Sequence, residues 1–186
     1  TYAPSVVTAF LAATATKVAL YLLLRFIYTV FGADFVFNIL PSSEVLLTLA
    51  LVGVVVASTV AIFQSDVKRL LAYSSVAQVG YIVLGISYAN VTGLTASIVH
   101  IFNHAVTKGA LFLVVGCVAY AAGSCRLESF AGLGKRMPLT MAAFVIAGLS
   151  LIGVPLTAGF VSKWYLVLGA IEKGWWPVAV VILATS

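Results

Sequence analysis

The chain of 186 residues is 63% hydrophobic and only 8% charged. Soluble domains carry about 25% charged residues, so this composition excludes a soluble globular protein and indicates one that lies in lipid. The net charge of +5 does not indicate nucleic-acid binding, because most lysines and arginines lie in short connections between apolar stretches, as in the loops of membrane proteins.

Six apolar segments follow one another along the chain. A helix that crosses about 30 Å of hydrocarbon needs roughly 20 residues, and a helix satisfies its own backbone hydrogen bonds in lipid. The sequence therefore predicts an all-α, polytopic transmembrane helical bundle of about five complete spanning helices plus the start of a sixth, at residues 3–31, 45–63, 70–88, 94–122, 139–170 and from 175 onward.

The ends of the chain and its cysteines add two expectations. The chain starts without Met and ends inside an apolar run, which suggests that residues 1–186 are one fragment of a longer membrane domain. The first apolar segment is too long for a signal peptide and contains Lys17. Cys117 and Cys125 have no metal-binding spacing, so we expect no metal at either.

Charges in the loops predict the orientation of the bundle. One set of connections carries most of the basic residues, and the opposite set carries only Lys173, beside acidic residues. Because lysine and arginine accumulate on the cytoplasmic side, we expect the basic loops there, in a bacterial or archaeal inner membrane. The residues of this set are Lys68, Arg69, Arg126, Lys135 and Arg136.

The fifth segment contains a predicted helix break. Pro155 lacks a backbone donor, and glycines such as Gly153 and Gly159 lower helix propensity around it. A broken helix is tolerated in a membrane where it faces protein or a water-filled cavity. A simple packing kink is the alternative, but Lys163 follows the break directly and favours a functional role.

The fourth segment carries His100, His104 and Lys108 at spacings of four residues. Such residues form one slanted stripe along a helix. Charged groups at membrane depth are costly and usually functional, and histidine exchanges protons near neutral pH, so the stripe suggests a proton relay. Polar contacts between helices are one alternative. A zinc site is another, although a third ligand and a general-base glutamate are missing from the motif.

Three further lysines are candidates for the same pathway. Lys17 lies in the middle of the first segment and Lys163 follows the break, so both face the cost of burial in lipid. Lys68 lies at a membrane edge, in Asp66-Val-Lys68-Arg69-Leu-Leu-Ala-Tyr73, where Asp66 can cap the third helix without any further role. From the residues alone, Lys68 is an ordinary anchor at the interface.

Taken together, three motifs resemble the antiporter-like membrane subunits shared by complex I and the Mrp-type cation/proton antiporters. They are Asp66-Val-Lys68-Arg69 continuing to Gly80-Tyr81, His100-x3-His104-x3-Lys108, and Gly153-x-Pro155-x-x-Ala-Gly159-Phe-x-Ser-Lys163. The likeness covers essentially the whole chain and is greatest to the D-type subunit of the Mrp antiporters.

The resemblance implies a fold of two inverted repeats, each with one broken helix. The chain then contains the last helix of the first repeat and most of the second. The implied proton pathway consists of Lys17 between the half-channels, Lys68 at the inner entrance, His100, His104 and Lys108 on the central axis, and Lys163 on the broken helix. The resemblance implies no NADH, flavin, iron–sulfur or haem site in these residues.

The expected function is proton translocation through buried lysines and histidines, coupled to Na⁺ or K⁺ antiport in a multisubunit Mrp-type complex. A proton-pumping subunit of a complex I-like NADH:quinone oxidoreductase, or of a related hydrogenase complex, is the first alternative. A structural membrane scaffold and a metal-handling protein that uses His100 and His104 are alternatives of other classes. The expected partners are other membrane subunits and the lipid bilayer, and we expect no cofactor and no chemical reaction catalysed by this chain itself.

Overall fold

The computed structural model describes residues 5–186, and the secondary-structure elements within these residues are helices. The predicted start of the first segment near Ala3 lies outside these residues. The helices are α1 (Ser5–Arg25), α2 (Ser42–Ile62), α3 (Val67–Ser87), α4 (Val91–Ala122), α5 (Leu133–Arg136), α6 (Pro138–Ile152), α7 (Ala158–Glu172) and α8 (Trp176–Ala184).

Four helical stretches are long and apolar enough to cross a membrane, and they correspond to the first four predicted segments. They are Val7–Val30, Ser42–Ile62, Val67–Ser87 and Val91–Ala122. The first continues past α1 through a π-helical turn, Phe26–Val30, and a second π-helical turn, Phe35–Ile39, precedes α2. The predicted all-α polytopic bundle is confirmed.

Side chains at the helix ends explain where α3 and α4 begin. The Asp66 carboxylate accepts from the backbone N–H of Arg69 at 3.0 Å, and Asn90 accepts from that of Gly93 at 2.7 Å. Each satisfies one of the donors that the first turn of a helix leaves unpaired. At the far end of α4, Gly123 adopts a left-handed conformation with φ of 70°, which ends the helix.

Helix α4 lies at the centre of the bundle and packs against α1, α3, α6 and α7, while α2 packs against α3. Glycines allow the closest approach, because a Cβ atom on Gly93 would lie 2.4 Å from the carbonyl oxygen of Gly85 on α3. The polar stripe of α4 is therefore enclosed by neighbouring helices. Large apolar side chains such as Phe10, Tyr120 and Leu139 are exposed on the outside, as expected for contact with lipid or other membrane subunits.

The predicted break in the fifth segment is present and separates two helices. Helix α6 ends at Ile152, where Gly153 has φ of +88°, and α7 begins at Ala158. Pro155 lies between them. The two halves are pressed together at Gly159, where a Cβ atom would lie 1.7 Å from the carbonyl oxygen of Ser150. The chain therefore leaves its helical path completely, which is more than a packing kink.

The two basic loops meet at one end of the bundle. Residues Asp66 and Arg126 form an antiparallel bridge. The backbone N–H of Val67 donates to the carbonyl of Cys125 at 2.9 Å, and that of Leu127 donates to the carbonyl of Ser65 at 3.0 Å. The positive charges of both loops consequently lie on the same side of the bundle.

Candidate functional site

Five ionisable side chains from α1, α4 and α7 are buried in the interior of the bundle. Each exposes 6% of its surface or less, and Lys108 exposes none. These are five of the six residues that the sequence predicts for a proton pathway: Lys17, His100, His104, Lys108 and Lys163. Burial at membrane depth is costly for groups that can carry charge, so their clustering identifies the candidate site.

His100 is held by hydrogen bonds from two other helices. Its Nδ1 lies 2.8 Å from Oγ of Ser162 on α7, and its Nε2 lies 2.8 Å from Oε1 of Gln78 on α3. The edge of the imidazole also faces the ring of Tyr81, with ring centroids 6.1 Å apart. With both ring nitrogens engaged by protein groups, His100 has no free lone pair for a metal ion.

His104 lies one turn further along α4 and stacks on His100, with ring centroids 6.2 Å apart. Neither of its ring nitrogens has a hydrogen-bond partner within the described residues. Buried polar groups nearly always find a partner in protein or water. The ring of His104 is therefore suited to bind water in the interior of the bundle.

Lys108 continues the stripe towards the basic loops. Its ammonium group donates to the carbonyl of Leu71 at 2.8 Å and to Oγ of Ser74 at 2.5 Å, both on α3. The Ser74 hydroxyl donates in turn to Leu71 at 3.1 Å. All of these partners are neutral, so they solvate the amine without neutralising its charge.

Lys17 approaches the same stripe from α1. This helix packs directly on α4, where a Cβ atom on Gly109 would lie 3.5 Å from Cβ of Ala13. The Lys17 amine donates to the carbonyl of Ala12, and Lys17 interacts electrostatically with His104 and Lys108. Lys17 thus adds a fourth basic group, from another helix, to the three of the α4 stripe.

Lys163 connects the stripe to the helix break. Its amine donates to the carbonyl of Ile152, the last residue of α6, at 2.8 Å, and lies 5.2 Å from the ring centroid of Tyr81. The end of a helix carries partial negative charge on its unpaired carbonyls, which favours a cation there. The break therefore creates the acceptor that binds the Lys163 amine.

Lys68 lies apart from the other five residues, which we call the row: Lys17, His100, His104, Lys108 and Lys163. It is half-buried in the first turn of α3, at the end of the bundle where the basic loops meet. No hydrogen bond among residues 5–186 joins it to the other five. The structure therefore brings together five of the predicted residues and leaves Lys68 at the edge.

The row has no acidic partner in the membrane-spanning helices. The five acidic residues of the chain lie in connections or at helix ends: Asp34, Glu44, Asp66, Glu128 and Glu172. In the described part of the chain, no group of three histidine, cysteine or acidic residues could hold a metal ion. Like charges in a low-dielectric interior repel, so a proton on one member disfavours a proton on the next.

A cavity of about 330 Å³ lies beside the row. Its walls include Gln78 and Ser74, the partners of His100 and Lys108, and Ile152, the residue that accepts from Lys163. Hydroxyl groups of Ser58 and Thr59 add polar surface. The cavity adjoins three of the ionisable groups through their partners, and these polar partners are the places in its wall where water can bind.

Several partners in the site were not singled out by sequence reasoning. The sequence did not single out Gln78 or Ser74, and Ser162 and Tyr81 occurred only within longer motifs. Ser162 contacts a residue 62 positions away, a contact that periodicity along one helix cannot reveal. The available signal was that Ser162 is a polar residue in an apolar segment and directly precedes Lys163.

Comparison with known proteins shows the family to which the chain belongs. A family model described as NADH:quinone oxidoreductase/Mrp antiporter, TM, matches residues 1–186. The chain belongs to this family. A curated relative, NADH-quinone oxidoreductase subunit N of Desulforudis audaxviator, is 48% identical over 185 residues, which cover 100% of this chain and 36% of the relative.

Two solved structures have the same fold as this chain over nearly its whole length. A chain of the Mrp complex from Dietzia sp. DQ12-45-1b is 31% identical, with a TM-score of 0.91 over 98% of this chain and 33% of that one. A chain of the membrane-bound sulfane sulfur reductase, an archaeal respiratory membrane complex, is 37% identical, with a TM-score of 0.86 over 98% of this chain and 37% of that one. Both neighbours are parts of multisubunit membrane assemblies.

The chain spans about a third of the length of these relatives. The prediction of an antiporter-like membrane subunit is confirmed at the level of the family. The finer assignment to the D-type subunit of an Mrp antiporter is not supported by the relatives, because the Desulforudis protein carries the name of subunit N of a quinone oxidoreductase.

Proposed function

We propose that this chain forms part of the proton pathway of an ion-translocating membrane subunit, and that the full-length protein is a proton-pumping subunit of an NADH:quinone oxidoreductase. The observation that carries the proposal is the cluster of buried basic groups without acidic partners in the interior of the bundle: Lys17, His100, His104, Lys108 and Lys163. The 48% identity to a subunit N supports the redox-driven assembly.

The row suits stepwise proton movement. Histidine and desolvated lysine both exchange protons in a range that local charge controls, and the hydrogen-bond partners of His100, Lys108 and Lys163 are neutral. When one member takes up a proton, its charge therefore favours release of a proton from the neighbouring member. A conformational signal from a neighbouring module needs only to move one group to displace a proton along the row.

The remaining predicted assignments join this proposal. Lys68 serves at the entrance on the cytoplasmic side, where the basic loops lie. The chain supplies the last helix of one inverted repeat and most of the next, with α6 and α7 as the broken helix. The first repeat, in the rest of the full-length protein, supplies the other half of the pathway, and a neighbouring module of the complex supplies the driving reaction.

Antiport of Na⁺ or K⁺ in an Mrp-type complex is the second candidate, and the TM-score of 0.91 to a chain of an Mrp complex favours it. Alkali cations prefer oxygen ligands that carry negative charge. The buried row offers amines and imidazoles instead. In an antiporter, the cation would consequently follow a route through other parts of the assembly.

The test uses inverted membrane vesicles that contain the full-length protein in its complex. We expect NADH oxidation to build a pH gradient in wild type, and the Lys108→Ala and Lys163→Ala variants to lose it at equal assembly. Lys135→Ala, at an exposed lysine of the basic loop, is the matched control and retains the gradient. Addition of Na⁺ or K⁺ distinguishes the candidates, because an antiporter collapses a gradient made by other respiratory enzymes.

Full gradient formation by well-assembled Lys108→Ala and Lys163→Ala complexes would contradict the proton-path proposal and favour a scaffold. If Na⁺ or K⁺ collapses the pH gradient in wild type but not in the two variants, the result would favour antiport over redox-driven pumping. A metal-handling protein would instead bind zinc tightly and lose it in His104→Ala.

A further inference from the structure

The hydroxyl of Ser162 lies between two acceptors that belong to different helices. Its Oγ is 2.8 Å from Nδ1 of His100 on α4 and 3.0 Å from the carbonyl oxygen of Gly159, one turn earlier on α7. Ser162 is completely buried, so bulk solvent offers no other partner. A hydroxyl has one proton to donate. Ser162 therefore donates either to His100 or to Gly159, and not to both.

The protonation state of His100 decides between these two acceptors. The Oε1 atom of Gln78 accepts at Nε2, so this nitrogen carries a proton. In a neutral ring, Nδ1 is then an acceptor, and it needs the proton of Ser162. In a protonated ring, Nδ1 is a donor to the Ser162 oxygen, and the hydroxyl proton is free for the carbonyl of Gly159.

From this geometry we infer that Ser162 is a positioning residue that couples the proton on His100 to the first turn of α7. Its hydroxyl donates to His100 when the ring is neutral and to Gly159 when the ring is protonated. The inference rests on the proposed proton pathway. In each protonation one N–H bond forms at Nδ1 and one breaks at the donor, for which the neighbouring Lys163 supplies an ammonium group that becomes an amine.

The first turn of α7 is a sensitive place for such a change. The Gly159 N–H donates to Oγ of Ser150 on α6 at 3.3 Å, and the close approach at Gly159 leaves no space for a Cβ atom. A serine that donates to a carbonyl of the preceding turn often bends its helix. The bend would act on the contact between Lys163 and Ile152, which joins the two halves of the broken helix.

The groups around His100 make a proton on its ring costly, so the neutral ring is the resting state and Ser162 donates to His100 at rest. The carbonyl and hydroxyl partners are neutral, and the ionisable neighbours are basic or aromatic. From each packed helix they are Lys17 on α1, Gln78 and Tyr81 on α3, His104 on α4, and Ser162 and Lys163 on α7. No carboxylate of the described chain lies among them, so the charge on His100 is not cancelled by a fixed anion.

The test measures hydrogen–deuterium exchange in the full-length protein within its purified complex. Exchange of the peptide that covers residues 157–165 is recorded from pH 8 down to pH 4.5, because burial among basic groups makes His100 take up a proton only at lower pH, and is corrected for the intrinsic pH dependence of amide exchange. We expect the corrected rate in wild type to change by about threefold, a size that one hydrogen bond can produce. His100→Ala and Ser162→Ala should remove this change, and Ser162→Thr, which retains a hydroxyl, should restore it.

Ser87→Ala is a closely matched control. Ser87 is also completely buried, and its hydroxyl donates at 2.7 Å to the carbonyl of Leu84, three residues earlier, but it does not contact the row. This variant should keep the pH-dependent exchange. The inference is overturned if Ser162→Ala keeps it as well, or if Ser87→Ala loses it equally.

Transport measured in parallel separates this inference from the proposed function. Loss of the pH gradient in His100→Ala together with pH-independent exchange in wild type would overturn the coupling through Ser162 and leave the proton pathway standing. The opposite outcome would support the coupling and contradict the pathway. In that case wild-type exchange depends on pH, Ser162→Ala removes this dependence, and His100→Ala retains full transport.

Discussion

At the scale of single residues, the two histidines of α4 have opposite surroundings although they are one turn apart. His100 has a partner on each ring nitrogen, Gln78 and Ser162, whereas neither nitrogen of His104 has one within the described residues. A buried polar group without a partner costs about 1–3 kcal/mol, and removing one member of a bonded pair leaves the other unsatisfied. The two positions should therefore respond differently to the same substitution.

We expect His104→Phe to keep or raise the thermal stability of the assembled complex, by up to about 1 kcal/mol, because an apolar ring can stack on His100 and no hydrogen bond within the described protein is lost. His100→Phe should lower the stability by about 2 kcal/mol, because it leaves Gln78 and Ser162 without their partner. Both variants should abolish proton transport. Thermal unfolding of the purified complex, read alongside vesicle transport, checks the pair, and equal destabilisation by both would contradict the difference in hydrogen bonding.

At the scale of helices, the glycines of the broken helix differ sharply in what surrounds them. A Cβ atom on Gly159 would lie 1.7 Å from the carbonyl oxygen of Ser150, whereas a Cβ atom on Gly148, inside α6, would meet nothing within 4 Å. The junction between α6 and α7 consequently depends on Gly159, and Gly148 is a comparison site within the other half, α6.

We expect Gly159→Ala to separate the two halves and to prevent assembly or remove transport, because the backbone of Ser150 cannot move away as a flexible side chain could. Gly148→Ala should be neutral or stabilise α6 by about 0.5–1 kcal/mol, because alanine is the better helix former. Western blotting of assembled complexes and vesicle transport measure both. Normal assembly and transport in Gly159→Ala would show that the close junction is not required.

The sequence predicted the helices well because their determinants are local. The predicted starts of the second, third and fourth segments lie three residues from those of α2, α3 and α4, and the break was predicted from proline and glycine. The π-helical turns Phe26–Val30 and Phe35–Ile39 were not predicted, because apolar residues there fit any helical register.

The candidate site was only partly predictable. The four-residue spacing placed His100, His104 and Lys108 on one stripe, and the cost of burial pointed to Lys17 and Lys163. Their partners belong to other helices, and which faces of α3 and α7 turn towards α4 depends on packing at glycines such as Gly85 and Gly93. That packing is a property of the folded bundle, and no periodicity within one helix encodes it.

At the scale of the whole molecule, charge separates the two ends of the bundle. One end joins the loops that contain Lys68 and Arg126 through backbone hydrogen bonds. At an opposite connection, Glu172 accepts from Asn90 at 3.0 Å and from Thr92 at 2.9 Å and ties the end of α7 to the start of α4. The excess of basic residues at the first end predicts that it faces the cytoplasm.

Labelling of single cysteines with a membrane-impermeant maleimide tests this orientation in the full-length protein. Cysteine is introduced by Glu128→Cys in the basic loop or by Lys173→Cys beyond α7, both exposed sites, in a background in which Cys117 and Cys125 are replaced by alanine. Because the basic loops should be cytoplasmic, we expect Glu128→Cys to react only in inverted vesicles and Lys173→Cys only in intact cells. The reverse pattern would invert the bundle and place Lys68 at the exit of the pathway. Labelling of both sites from one side would contradict the crossing of the membrane by the α6–α7 pair, since residues 128 and 173 are separated by that broken helix.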